Sequence, residues 1–112
     1  MTTTNHTPVA IHIDDVAPVE VAPGITRRNL TSTPHARGWL IDFGPGTTWP
    51  AVDHHPTEER YYVLEGEVID GDETYPAGTY VTFAPGSSHR PHTTTGARML
   101  GINLAARDQT GR

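Results

Sequence analysis

Four of the chain's seven histidines fall in two pairs, His54 with His55 and His89 with His92, and the first pair lies in the run Asp53-His54-His55-Pro56-Thr57-Glu58-Glu59. Imidazole nitrogens and carboxylate oxygens bind divalent first-row metals. Two imidazoles with one or two carboxylates suit Fe(II), Mn, Zn, Ni or Co and leave room for water. In an extended segment residues i and i+2 share a face, so Asp53 and His55 point together while His54 points away. A turn at Pro56-Thr57 that returns the chain can put Glu59 opposite His55. A further imidazole must come from a distant strand, and His89, just after the Pro85-Gly86 turn, is the natural donor. His92 lies beyond Pro91 and reads as solvent-exposed rather than as an extra ligand or proton carrier. His6, His12 and His35 read as surface residues.

The elements that must hold these groups are short and extended. Ten Pro and eleven Gly interrupt the chain too often for long helices. Strands are predicted at residues 9–13, 25–32, 37–43, 60–70, 79–84, 89–94 and 97–105, separated by turn signals such as Gly44-Pro45-Gly46, Asp70-Gly71-Asp72 and Pro76-Ala77-Gly78. Regularly spaced short strands imply a β-sandwich or barrel. Trp39, Ile41 and Phe43 alternate as a core stripe. Tyr61 and Val63 share the inward face of Glu59, which leaves Tyr62 and Leu64 facing outward.

Composition narrows the function. The 112 residues fit one domain, residues 1–112, with a core at about 9–105 and polar tails. A net charge of −5 offers no attraction for phosphate backbones or anionic lipid, so neither nucleic acid nor membrane is an expected partner. Cysteine is absent, which removes disulfides, thiolate metal sites and thiol nucleophiles. All eight basic residues are Arg, which removes Schiff-base lysines and P-loops. The polar residues 2–6 lack a basic flank or apolar run, and a cytoplasmic protein is expected.

The segment from Gly46 to Gly66 resembles the first conserved motif of the cupin superfamily. Asp53-x-His55 is followed by three residues, Glu59, six residues and Gly66, with Asp53 at the position of the family's first His. Gly78, five residues, Ala84-Pro85-Gly86, two residues and His89 resemble the second motif, with Thr93 in place of its closing Asn. The wording of these segments is most similar to the cupin-like domain of ChrR-type anti-sigma factors and its acetylacetone-cleaving relatives, over about half the chain.

The resemblance implies an all-β, single-domain cupin, a double-stranded β-helix or jelly-roll barrel, binding one divalent ion (Fe, Zn, Mn or Ni). It makes His55, Glu59 and His89 metal ligands. Asp53 then either completes the set or orients a ligand or water, and a local bulge turning His54 inward is the alternative. Trp49, Tyr61 and Val63 are expected to line the pocket. Arg98 and Asn103 lie on opposite faces of the last strand, so at most one of them enters, and Arg98 is taken as the lining residue. The implied function is a mononuclear metal-dependent enzyme acting on a small oxygen-rich or enolisable metabolite, with dioxygenase-type cleavage suggested by the nearest relatives. Isomerase, cyclase or lyase chemistry would use the same site, and a non-catalytic sensor or binding module is the rival reading. The family also implies a homodimer.

Overall fold

The computed structural model describes residues 6–105. The tail expected beyond residue 106, and most of that before residue 9, lies outside them. Nine strands follow a single 3-10 turn at Ile13–Asp15: β1 (Val19–Ala22), β2 (Ile25–Ser32), β3 (Ala36–Phe43), β4 (Asp53–His54), β5 (Glu59–Asp70), β6 (Glu73–Pro76), β7 (Tyr80–Phe83), β8 (Ser88–His89) and β9 (Ala97–Leu104). Every pairing is antiparallel. The main sheet runs β1-β2-β3-β9-β5-β6, with β7 on β5, while β4 and β8 form a separate pair.

Alternation decides what each strand buries. Trp39, Ile41 and Phe43 of β3, Tyr61 and Val63 of β5, and Ala97 and Met99 of β9 form the core with Ile25 and Val68. Fully burying a side chain such as Val63 or Ile25 stabilises the fold by roughly 1.5–3 kcal/mol. The alternation changes phase once, because the register between β5 and β9 shifts between Val63 and Glu65. Leu64 is the extra residue of this bulge, so beyond it Val68 faces the core and Asp70 follows on the same side. Just past the bulge Gly66 has φ 72°, and a Cβ there would sit 1.9 Å from the Gly96 carbonyl oxygen. No larger residue fits.

Two predicted strands differ from the structure. Residues 9–13 are not a strand, because His12 caps the 3-10 turn, its Nδ1 accepting from the Asp14 N–H. The run 89–94 pairs as a strand only at Ser88–His89, since Pro91 has no N–H to continue a ladder. His92 instead makes isolated bridges to Thr48 and Ile69, which leaves it half-buried rather than exposed. Strands β1 and β6 carry no alternation strong enough to predict; their burial patterns are mostly exposed or intermediate.

Candidate metal centre

The small β4–β8 pair brings the two motif segments together. Asp53 stands directly across from His89 and His54 from Ser88. The pairing continues through the His55 N–H to the Ser87 carbonyl (2.8 Å) and the Gly86 N–H to the His55 carbonyl (2.7 Å). Glu59 enters from the start of β5, where it sits opposite both Phe83 and Asn103.

One atom from each of four residues, Asp53, His55, Glu59 and His89, lies within 4.8 Å of the other three. His55 Nε2 is 3.2 Å from Asp53 Oδ2 and 3.2 Å from Glu59 Oε2; His89 Nε2 is 3.6 and 3.7 Å from the same two oxygens. His55 and Glu59 are buried, at 3% and 6% exposure. His54 is exposed and is absent from this group, although it stands at the border of the adjoining cavity. Glu58 likewise faces out and pairs with Arg60.

The surrounding hydrogen bonds fix how the rings are presented. Ser87 Oγ donates to the Ala84 carbonyl (2.6 Å), so it accepts from His55 Nδ1 (3.1 Å). His89 Nδ1 donates to Asp70 Oδ2 at 2.5 Å. With each Nδ1 carrying its proton, both Nε2 lone pairs face the cluster. Asn103 Nδ2 donates to Glu59 Oε1 (2.8 Å), and Trp39 Nε1 donates to Asn103 Oδ1 (2.7 Å), leaving Glu59 Oε2 free to point inward. Two imidazole lone pairs and two carboxylate oxygens thus converge on one point without a donor between them, an arrangement that fits a cation.

Electrostatics agrees. Burial raises the Glu59 pKa, and the charge of Asp53 adds to that, against lowering by the Asn103 bond and the two histidines. Burial by itself lowers His89, but the bond and charge of Asp70, with the charges of Glu59 and Asp53, outweigh it and raise its pKa.

The cluster forms one side of a cavity of about 180 Å³. Trp49 lines it, with Trp39, Ile41, Phe43 and Met99. Tyr61 and Val63 do not: they face inward but lie in the packed core, where Tyr61 stacks on Phe83 at 5.6 Å. Arg98 is also corrected, because its side of β9 is the outer face and its guanidinium is paired with Asp42 at 2.7 Å. Asn103, of opposite parity, takes the inward place. Asp70 and Ser87 were legible only as turn residues, and Arg27, which also lines the cavity, carried no motif signal.

Residues 6–106 match the family model described as the ChrR Cupin-like domain. The chain belongs to this family. Solved structures resemble this cupin across most of its length. An acetylacetone dioxygenase from Acinetobacter johnsonii is 18% identical, covers 100% of this chain and 85% of its own, and superposes with a TM-score of 0.76. The polyketide cyclase RemF from Streptomyces resistomycificus is 23% identical over 89% of this chain and 81% of its own, with a TM-score of 0.75. A chain in the complex of Rhodobacter sphaeroides SigE with the anti-sigma ChrR is 20% identical over 82% of this chain and 50% of its own, with a TM-score of 0.73. No curated protein sequence matches the chain. At these identities the solved structures speak for the fold, which is the cupin jelly roll expected from the two motifs. Among the described residues no helix is long and apolar enough to cross a membrane.

Proposed function

We propose that this cupin is a mononuclear metal-dependent enzyme acting on a small oxygen-rich or enolisable metabolite, with His55, Glu59, His89 and Asp53 as the ligands of one divalent ion. The observation that carries the reading is the convergence of four acceptor atoms within 4.8 Å at the edge of a cavity that Trp39, Ile41, Phe43, Trp49 and Met99 also line. When bound, such an ion supplies Lewis acidity at its open positions and, if it is redox-active, a route for electrons to O₂. The protein's part is to hold and orient the donors. Asn103 fixes the orientation of Glu59, and Ser87 and Asp70 fix the two rings, so the donors need no rearrangement to ligate.

Oxidative cleavage is the favoured reaction, by likeness to the dioxygenase; isomerisation, cyclisation or elimination would use the same donors. The rival is a non-catalytic sensor, favoured by the similarity to a chain of the SigE–ChrR complex. Purified protein carrying iron and consuming oxygen with β-diketones or catechol-like compounds supports the enzyme. Tightly held zinc without turnover on any of them supports the sensor.

We also propose a homodimer through the outer face of the main sheet. Tyr62 pairs with Leu100 on one side and Tyr80 on the other, and with Leu64 and Ile102 these residues leave a contiguous apolar surface exposed.

A further inference from the structure

Six arginines lie in the described residues, and four of them are spoken for. Arg28 and Arg98 share Asp42, Arg60 pairs with Glu58, and Arg90 donates to the carbonyls of Trp49 and Pro50. The other two, Arg27 and Arg37, have no hydrogen bond or ion pair among the described residues, and both line the cavity beside the four-residue cluster. Arg27 is the more telling. It stands on the inward face of β2 across from Ile41, a cavity wall residue, and its Nε is shut off from solvent without an acceptor. A buried guanidinium N–H left unmade weakens a fold, whereas the adjacent Arg28 on the outer face is fully partnered.

The charges around the cavity lead to the same place. Its acidic lining is Asp53 and Glu59, two negative charges that one divalent ion would neutralise. Both histidines serve as neutral donors when they ligate. Arg27 would then bring to the loaded cavity, beside Trp39, Phe43 and Trp49, a part-buried positive charge that no lining carboxylate balances, and the exposed Arg37 adds to it from the rim. A concave pocket with excess positive charge attracts an anion.

Resting on the metal-centre reading, we propose that the ligand of this cavity is a small carboxylate: one end offers oxygen to the ion and the carboxylate is held by Arg27, with Arg37 adding attraction. Guanidinium matches a carboxylate with two parallel charge-assisted bonds, which a neutral diketone cannot accept in the same way. The cavity, about 180 Å³, lies below the roughly 300–1,000 Å³ of sites for drug-sized molecules and calls for a compact acid.

The test compares acetoacetate with methyl acetoacetate, which share a β-keto group and differ in the carboxylate charge. Calorimetric titration of zinc-loaded wild type is expected to show acetoacetate binding about tenfold to a hundredfold more tightly than the ester, as a charge-assisted pair provides. In Arg27→Gln that preference is expected to fall to within about threefold while zinc still binds one to one. Wild type that binds the ester as tightly as the acid, or does not bind acetoacetate, overturns the proposal without any variant. An unchanged preference in Arg27→Gln overturns the role of Arg27. Wild type that takes up no zinc overturns the metal centre itself, an outcome read before either ligand is added.

Discussion

His89 is held by Asp70 on one side of its ring and offered to the cluster on the other: Nδ1 lies 2.5 Å from Asp70 Oδ2 while Nε2 faces Asp53 and Glu59. The bulge at Leu64 makes this possible, because without the extra residue Asp70 would fall on the outer face of β5. Replacing Asp70 by Asn keeps an acceptor but removes the charge that makes the imidazole a stronger donor. Asp70→Asn is expected to weaken metal affinity by about 10–100-fold with the fold intact, measured by competition against a chelating indicator. Unchanged affinity would remove Asp70 from the site.

The ligand assignment itself separates two neighbouring histidines. His89→Ala is expected to lose nearly all bound metal in elemental analysis of the purified protein. His54→Ala, changing an exposed ring outside the four-residue cluster, is expected to keep wild-type stoichiometry. The opposite pattern would mean that His54 turns inward and that the strand alternation has been misread.

The convergence of these four side chains was legible in the sequence, for local reasons. Asp53, His55, Glu59 and His89 announce themselves because alternation and turn chemistry are local, and Pro56 and Gly86 punctuate the hairpins that align them. Arg98 was misplaced because parity along β9 allows either it or Asn103 inside, and only the pairing of Asp42 across on β3 settles which. Tyr61 and Val63 do face inward, but a strand pattern does not say how deep a cavity reaches. Asp70 and Arg27 were invisible for a third reason: one depends on a bulge, the other on a partner it lacks.

Gly101 ties packing to the site. A Cβ on Gly101 would lie 2.1 Å from Cη2 of Trp39, and the Trp39 indole holds Asn103, which holds Glu59. Gly101→Ala must push the indole aside, so it is expected to cost stability at the upper end of the about 1–3 kcal/mol typical of overpacking. It is also expected to weaken metal binding, although residue 101 touches no ligand. Chemical denaturation and metal competition read the two effects; normal metal affinity in a destabilised variant would show that the Trp39-Asn103-Glu59 chain does not govern the site.

The outer sheet face predicts an oligomer. Leu100 and Tyr62 are 42% and 40% exposed and stand side by side, so Leu100→Arg would place charges at the centre of any interface there. Light scattering is expected to report a dimer for wild type and a monomer for this variant, with metal content unchanged. A monomeric wild type would leave the apolar face without this role.

Metal loading should oppose the pH dependence of stability. In the metal-free protein the pKa of His89 is raised from its ordinary value near 6.5, where burial is outweighed by Asp70, and that of Glu59 is raised from near 4.5 by burial. A raised pKa means that the folded state holds its proton more tightly than the unfolded chain does. The stability from His89 is therefore complete below about 6.5 and is lost as pH rises through its folded value; that from Glu59 is complete below about 4.5 and is lost in the same direction. Metal must displace these protons, so its own stabilisation grows as pH rises. Thermal unfolding from pH 6 upward is expected to show the metal-free melting temperature falling and the gap between loaded and metal-free protein widening. In His89→Gln, which lacks the titrating ring, the fall over this range should shrink; a slope identical to wild type would place the responsible proton elsewhere.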